Sequence, residues 1–399
     1  MAMTINTNVV SINAQRNLGL SGSSLSTSMQ RLSSGLRVNS AKDDAAGLAI
    51  SERMSTQVRG FAVASRNAHD GISLAQTAEG ASGKVGDMLQ RMRELAVQAG
   101  NATNSKGDRE ALNAELVQLR DEVDRVAKTT SFNGKKVLDG SFTGGVFQVG
   151  ANSGDNITVG ALANTKVDQL GKTEFGTGSV TGIADASKTA AANNMTNADV
   201  IINITGANKV SAQVTIAKDE NVTGDEALGR VIQAINSKTA DTGIVAFLAD
   251  DGKSIQYRAE KDADGALASA AIAVSGTAAG VTALLAQPTT ANTDQTGIHK
   301  MDIKTQAGAW ESLQRIDNAI DKVNSARADL GAIQTRFEKS IENIDIMQEN
   351  ISAARGRITD ADFAKETANL SRTQILQQAG TAMVAQANQL PQNVLKLLQ

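Results

Sequence analysis

The tightest grouping of side chains able to do acid–base chemistry is Lys42-Asp43-Asp44. Paired carboxylates beside an ammonium can share or relay a proton. Here they sit where a helix is expected to begin, and acidic groups favour the positive end of a helix. Capping or loop structure explains them without chemistry. His69 and His299 are the two histidines, and neither has a partner at the spacing of the HExxH zinc motif. There is no Cys, so thiolate nucleophiles, thiolate metal sites and disulfides are excluded. Gly83-Lys84 and Gly144-Gly145 match neither a phosphate loop nor a dinucleotide fingerprint. Asn101-Ala102-Thr103 and Asn221-Val222-Thr223 fit the glycosylation acceptor pattern, which a chain rich in Asn and Thr reaches by chance. No residue is assigned a catalytic, cofactor-binding or metal-binding role, and the chain reads as a non-enzyme.

A second polar constellation lies in Leu89-Gln90-Arg91-Met92-Arg93-Glu94-Leu95-Ala96-Val97-Gln98. Arg91 and Glu94 face each other on a helix, and an exposed pair of this kind contributes under about 1 kcal/mol. Taken alone, it is a solvated helix face. Aromatic residues make up 3% of the chain, too few to line the apolar pocket of a typical small-molecule site. The net charge of −3 offers no basic footprint for nucleic acid. Residues 1–15 carry no charge and no continuous apolar run, so they do not read as a signal peptide. The charge-free stretch Thr373 to Leu395 is the best candidate for a membrane span. It is interrupted by Gln374, Gln377, Gln378, Gln386, Asn388 and Gln389, which makes it too polar for hydrocarbon. By composition alone the chain reads as cytoplasmic.

Long helices must carry these side chains. Leu18, Leu25 and Leu32 are seven apart, with Met29 and Leu36 as a companion row. Leu376, Met383, Leu390 and Leu397 repeat the pattern near the C-terminus, with Ala387 and Val394 beside them. Ile316, Val323, Leu330, Phe337, Ile344 and Ile351 keep the same spacing. Leu112, Leu116, Leu119, Val123 and Val126 make a shorter seam, and another helix is expected through Ile50, Met54, Val58, Phe61, Ala68, Ile72 and Ala75 to Leu95. Apolar positions held at strict sevens favour supercoiled packing against another long helix. The ends differ from ordinary surface helices, which carry charge on their outer face. Residues 1–30 contain one charged residue, Arg16, and residues 373–395 contain none. Such ends can pack against further copies without burying charge. The expectation is that they order on assembly.

The middle reads differently, being rich in Gly, Thr, Asn, Ala and Asp. Asn133-Gly134 and Asp139-Gly140 are hairpin turn signals. Strands are expected at 146–149, 157–159, 200–204, 210–216, 244–248 and 254–259, with one helix over 225–237 capped near Thr223 or Asp225. Stretches around 176–198 and 276–297 read as linkers. The fold class is α+β: a long coiled-coil-like helical bundle built from both termini, with β-hairpins, plus a small inserted α+β domain.

Several runs together resemble bacterial flagellin. They are RLSSGLRVNSAKDDAAGLAISERM at 31–54, LQRMRELAVQ at 89–98, DRVAKTTSFNGKKVLDG at 124–140 and SRTQILQQAGTAMVAQANQLPQNVLKLLQ at 371–399. The resemblance covers about residues 1–175 and 298–399. It implies a hollow helical filament outside the cell, the motility propeller. Export through the flagellar type III apparatus needs no cleaved signal. On this pattern residues 1–45 and 356–399 form the inner-tube coiled coil, 46–175 and 298–355 a helical bundle with a β-hairpin, and 176–297 the variable, surface-exposed insert. Leu18, Leu25, Leu32, Leu376, Met383, Leu390 and Leu397 are then the self-assembly seams. The implied partners are further copies of the chain, an export chaperone, the filament cap, the hook–filament junction proteins and the host Toll-like flagellin receptor. No cofactor, nucleic acid or membrane is implied. Leu89, Gln90, Arg91, Glu94, Leu95 and Glu115 match the surface that this receptor recognises. Val394, Leu395, Leu397 and Leu398 match the tail read by cytosolic sensors. The junction protein is a competing reading with similar ends. A metallopeptidase-bearing relative would need HExxH in the insert, and residues 176–297 contain no His. A membrane-active protein would need more Lys and Arg at its ends.

Overall fold

The computed structural model describes residues 7–397 apart from 174, 207–209, 250, 261–270, 276–278, 283, 286–289 and 292–296. In chain order the first elements are α1 (Val9–Ser34), α2 (Ala45–Ala99), α3 (Lys106–Thr129) and four short strands, β1 (Ser131–Phe132), β2 (Lys135–Lys136), β3 (Gly145–Gln148) and β4 (Asn156–Val159). The insert follows as β5 (Phe175–Val180), α4 (Asp185–Asn197), β6 (Val200–Thr205), β7 (Ser211–Ile216), α5 (Gly224–Asn236), α6 (Thr239–Thr242), β8 (Ile244–Leu248), β9 (Ile255–Glu260), β10 (Ala271–Ser275), α7 (Ala279–Thr282) and β11 (Thr290–Ala291). A single 3₁₀ turn, Ile298–Lys300, leads to α8 (Gln306–Thr359) and α9 (Phe363–Leu397).

Side-chain caps set where the helices start. The Asn8 side chain accepts a hydrogen bond from the Ser11 N–H at the start of α1. Gly35 ends α1 in the left-handed region, where a side chain would be strained. Asp44 accepts from the Gly47 N–H at 2.8 Å and opens α2. This is the capping role expected of the Lys42-Asp43-Asp44 group. Ser105 and Asp108 form a reciprocal capping box at α3.

The chain divides into two compact units. The first comprises Met1–Gly71, Val146–Ile157 and Arg336–Gln399. Within it, Phe337 is fully buried and meets Phe147 edge-on at 5.4 Å. The second comprises Ile72–Gly145 and Thr158–Thr335. Its helical part packs Leu89, Met92 and Leu95 of α2, Leu116 and Val123 of α3, and Ile316 and Val323 of α8 into one core. The strict sevens on α8 from Ile316 to Ile344 are therefore all buried, whereas Ile50 on α2 is exposed.

The insert has its own core. Antiparallel sheets of order β10-β6-β7 and β11-β5-β9-β8 enclose Ile202, Ile204, Val231, Ile235 and Tyr257 with Met195. The Tyr257 hydroxyl donates to the Leu284 carbonyl at 2.6 Å, and burial pushes its pKa upward. α5 begins at a Thr223–Glu226 capping box, which selects Thr223 over Asp225 as the N-cap. The linker expected at 176–198 is instead folded, and most of the one expected at 276–297 lies outside the described residues. β5 and α4 occupy the first. In the second, Val281 and Leu284 are buried. Low charge and abundant Ala mimic a linker, but Ala191 and Ala192 belong to the insert core, where a small side chain lets elements approach closely.

The insert joins the helices through a packed neck. Phe175 meets Trp310 at 6.5 Å, and the Arg315 guanidinium lies 5.2 Å above the Phe175 ring. Arg315 also donates to the Gly297 carbonyl, and Arg258 pairs with Glu311. At Gly171, in the left-handed region, a Cβ would lie 2.3 Å from the Arg315 carbonyl oxygen, so only glycine fits.

Candidate assembly surface

The terminal helices α1 and α9 form an antiparallel hairpin within the first unit. Asn8 donates to the Ala387 carbonyl at 2.8 Å, and the Ser11 hydroxyl donates to Asn388 at 2.7 Å. At the other end Arg31 pairs with Glu366 at 3.2 Å. The backbones then meet directly: the Arg37 N–H donates to the Thr359 carbonyl and the Ala361 N–H to the Gly35 carbonyl. In the described structure the pairing is made within a single chain, with polar anchors at both ends of the hairpin.

The shielded stripe of α1 runs through Ser11, Ala14, Leu18, Ser21, Leu25, Ser28 and Leu32, spaced alternately three and four. This is the geometry of a coiled-coil seam, and it contains the expected Leu18, Leu25 and Leu32. The matching stripe of α9 runs through Glu366, Leu370, Thr373, Gln377, Gly380, Val384 and Ala387 with the same spacing. The expected Leu376 and Met383 are not on it; both are exposed. The companion row containing Ala387 is the shielded one. The reason is steric. At Gly380 a Cβ would already come within 3.1 Å of Leu18 Cδ1, so a leucine row there would force the helices apart. The sevens at Gly380 and Ala387 were visible in the sequence but carry no large apolar side chain to advertise them. Leu390, Val394, Leu395 and Leu397 fall on the last turns of α9, where side chains are outside the described set, and Leu398 lies outside the described residues.

Both helices therefore turn apolar side chains outward. Val9, Val10, Ile12, Leu20 and Met29 on α1 are exposed, as are Phe363, Ile375, Leu376 and Met383 on α9. Residues 17–30 and 373–395 hold no charge to solvate these faces. Exposed apolar area of this kind marks an interaction surface. Among the described residues, no helix is long and apolar enough to cross a membrane, and no group of acidic and histidine side chains could hold a metal ion.

The α2–α3 face is a separate polar surface in the second unit. Arg91 donates to Glu94 at 2.8 Å and to Glu115 at 2.9 Å. These carboxylates, Glu94 foremost, hold the guanidinium pKa above its ordinary value. Arg93 donates to Asp317 at 2.6 Å. Gln90, Arg91 and Glu94 are exposed and Glu115 is half-buried. Leu89 and Leu95 point into the core, so they hold the helix in place and present no side chain outward. Sequence spacing alone shows this, since positions 89, 92, 95, 96 and 99 fall on one face.

The bacterial flagellin N-terminal helical region matches residues 5–143, and the C-terminal helical region of the same family matches residues 313–398. Polar flagellin C of Vibrio parahaemolyticus is 41% identical over 411 residues, covering 100% of both chains. Flagellin A of Vibrio cholerae is 43% identical over 401 residues, again covering 100% of both chains. The B-type flagellin of Pseudomonas aeruginosa is 37% identical over 492 residues with the same full coverage.

Proposed function

The chain belongs to the bacterial flagellin family and is a structural subunit of the flagellar filament, and from that premise we propose that it polymerises through the outward faces of α1 and α9. The observation that carries this reading is the exposure of Ile12, Leu20, Met29, Ile375, Leu376 and Met383 on helices that carry almost no charge. Removing such surface from water contributes roughly 25 cal/mol per Å². A contact between different surfaces of successive copies does not close on itself and grows as an open helical polymer.

In this reading residues 1–45 and 356–399 line the inner tube of the filament, 46–175 and 298–355 surround them, and 176–297 face outward. The filament lies outside the cell. Export proceeds without a cleaved signal and with a chaperone on the C-terminal helix, and growth occurs under a cap beyond the hook–filament junction. The chain has no catalytic role. Gln90, Arg91, Glu94 and Glu115 form the part of the α2–α3 face available to an innate Toll-like receptor, with Leu89 and Leu95 beneath it. The last residues, Val394 to Leu398, form the tail available to cytosolic sensors.

Electron microscopy of the purified chain after seeding with filament fragments in a precipitating salt tests the reading. Long uniform tubes are expected. Chains lacking residues 1–30 or 373–399 should stay monomeric while the insert and its neighbouring helices remain folded. Tubes from either truncated chain would show that the terminal helices do not drive assembly. Persistent full-length monomers would point instead to a junction-type adaptor.

A further inference from the structure

Of the methionines whose side chains the structure describes, Met92, Met195 and Met301 are buried and Met54, Met88 and Met347 are half-buried. Met29 and Met383 are exposed, at 56% and 65%. Each sits on one of the terminal helices, on the outward side of the shielded stripe, and Met383 continues the row of Leu376. Among the described methionines, the two thioethers most open to solvent are thus both on the faces assigned to assembly. We infer that Met29 and Met383 are oxidation sites through which a peroxide blocks addition of the monomer to the filament. The inference rests on the assembly reading above.

The chemistry is a two-electron oxygen transfer. A thioether lone pair attacks one peroxide oxygen, the O–O bond breaks, an S–O bond forms, and hydrogen peroxide leaves as water. The sulfur is oxidised to the sulfoxide and the peroxide is reduced. The product is polar and chiral where the reactant was apolar and flexible, which disrupts Met-bearing interfaces. A sulfoxide removed from water without a hydrogen-bond donor opposite it carries an uncompensated desolvation cost. Residues 17–30 and 373–395 hold no charge to turn toward, so that cost falls on association. In the hairpin itself both side chains point away from the α1–α9 stripe, so the monomer keeps its fold. Methionine sulfoxide reductases reverse the change.

The test uses full-length monomer treated with dilute hydrogen peroxide, with each sulfoxide located by peptide mass spectrometry. Met29 and Met383 should oxidise before Met92, Met195 and Met301. Seeded elongation of the oxidised monomer should slow about tenfold. Reductase treatment should restore it. A Met29→Leu/Met383→Leu chain, close in volume and unable to take oxygen at these positions, should show no peroxide-dependent slowing when compared with its own untreated rate. Normal elongation by wild-type chain carrying both sulfoxides would overturn the inference. So would equal slowing of the double variant, which would place the lesion elsewhere. Failure of untreated chain to elongate would overturn the assembly reading itself, and it is told apart because no peroxide is involved.

Discussion

Arg31 Nη1 lies 3.2 Å from Glu366 Oε1 and joins the last turn of α1 to the first turn of α9 across 335 positions of sequence. Glu366 is buried, and its second oxygen and the Arg31 Nε have no hydrogen-bond partner. An ion pair this isolated does more for register than for stability, because desolvation offsets much of its attraction. Removing one partner is a different matter, since it strands a poorly solvated charge. Glu366→Ala should destabilise the hairpin by about 3 kcal/mol. Arg31→Glu with Glu366→Arg should recover most of that loss. Protease cleavage within α1 and α9 under native conditions reads both. Equal cleavage of wild type and Glu366→Ala would show that the pair does not hold the hairpin.

The two rows of α9 should separate folding from assembly. Gly380→Leu places a large side chain where even a Cβ crowds Leu18, and overpacking of this kind costs about 1–3 kcal/mol. It should open the hairpin in the monomer. Leu376→Asp and Met383→Asp alter exposed positions, where substitutions usually change stability by less than about 0.5 kcal/mol. They should leave the monomer intact and abolish seeded growth. Circular dichroism of monomers beside a sedimentation assay of polymer distinguishes the two classes. A Leu376→Asp chain that polymerises at the wild-type rate would remove Leu376 from the contact.

The same two rows show how far the sequence could be read. Large apolar side chains at sevens located α1, α3 and α8 correctly, because α3 and α8 bury such a row and α1 turns its row to the half-buried side that faces α9. On α9 the rule chose Leu376 and Met383 over Gly380 and Ala387. A tight helix pair selects small residues, and hydrophobicity is silent about them. The buried Leu89 and Leu95 were legible from helical spacing, since they share a face with Met92. The Arg31–Glu366 and Asn8–Ala387 contacts were not, because local pattern says nothing about which polar residues meet across the chain. Composition misled at 176–198, where alanines that look like linker fill a packed interface of the insert.

Asn236 closes the edge of a sheet. Its side chain donates to the Ala246 carbonyl at 2.9 Å and accepts from the Ala246 N–H at 2.8 Å, as a neighbouring strand would. Thr239 and Thr242 serve Ile244 in the same way. β8 is an outer strand of its sheet, and open strand edges recruit other chains. Asn236→Leu should cost about 2 kcal/mol through the two lost bonds. It should also raise the tendency of neighbouring inserts to associate, visible as lateral bundling of filaments or as soluble aggregates. Unchanged stability and unchanged association would mean that water replaces the amide at no cost.

The insert should weaken in acid. The Arg230 guanidinium lowers the pKa of Asp219, the Lys188 ammonium lowers that of Asp225, and the Thr223 backbone N–H with its hydroxyl lowers that of Glu226. Each group is more acidic folded than unfolded. The stability it adds is therefore complete above the ordinary carboxylate value of about 4 and is lost as pH falls through the lower folded value. Unfolding of the insert, followed by Trp310 fluorescence at the neck, should be nearly independent of pH from neutrality to about 5 and should ease progressively below about 4. Asp225→Asn should flatten part of that acid limb. A limb of undiminished steepness in this variant would take Asp225 out of the account.

Gly71 and Phe337 make a close contact in the first unit. A Cβ on Gly71 would lie 2.5 Å from Phe337 Cζ, and the ring is fully buried and packs edge-on against Phe147. Gly71→Ala removes the intrinsic cost of glycine in a helix, roughly 1 kcal/mol, yet the clash should outweigh that gain and leave a net loss of about 1–3 kcal/mol. Phe337→Leu alone opens a cavity and also destabilises. In combination the new methyl enters the space the ring has left, so the double variant should be more stable than the sum of the single losses predicts. A double-mutant cycle by urea denaturation measures this coupling. Strict additivity would mean that the backbone of α2 shifts to accept the methyl without disturbing the ring.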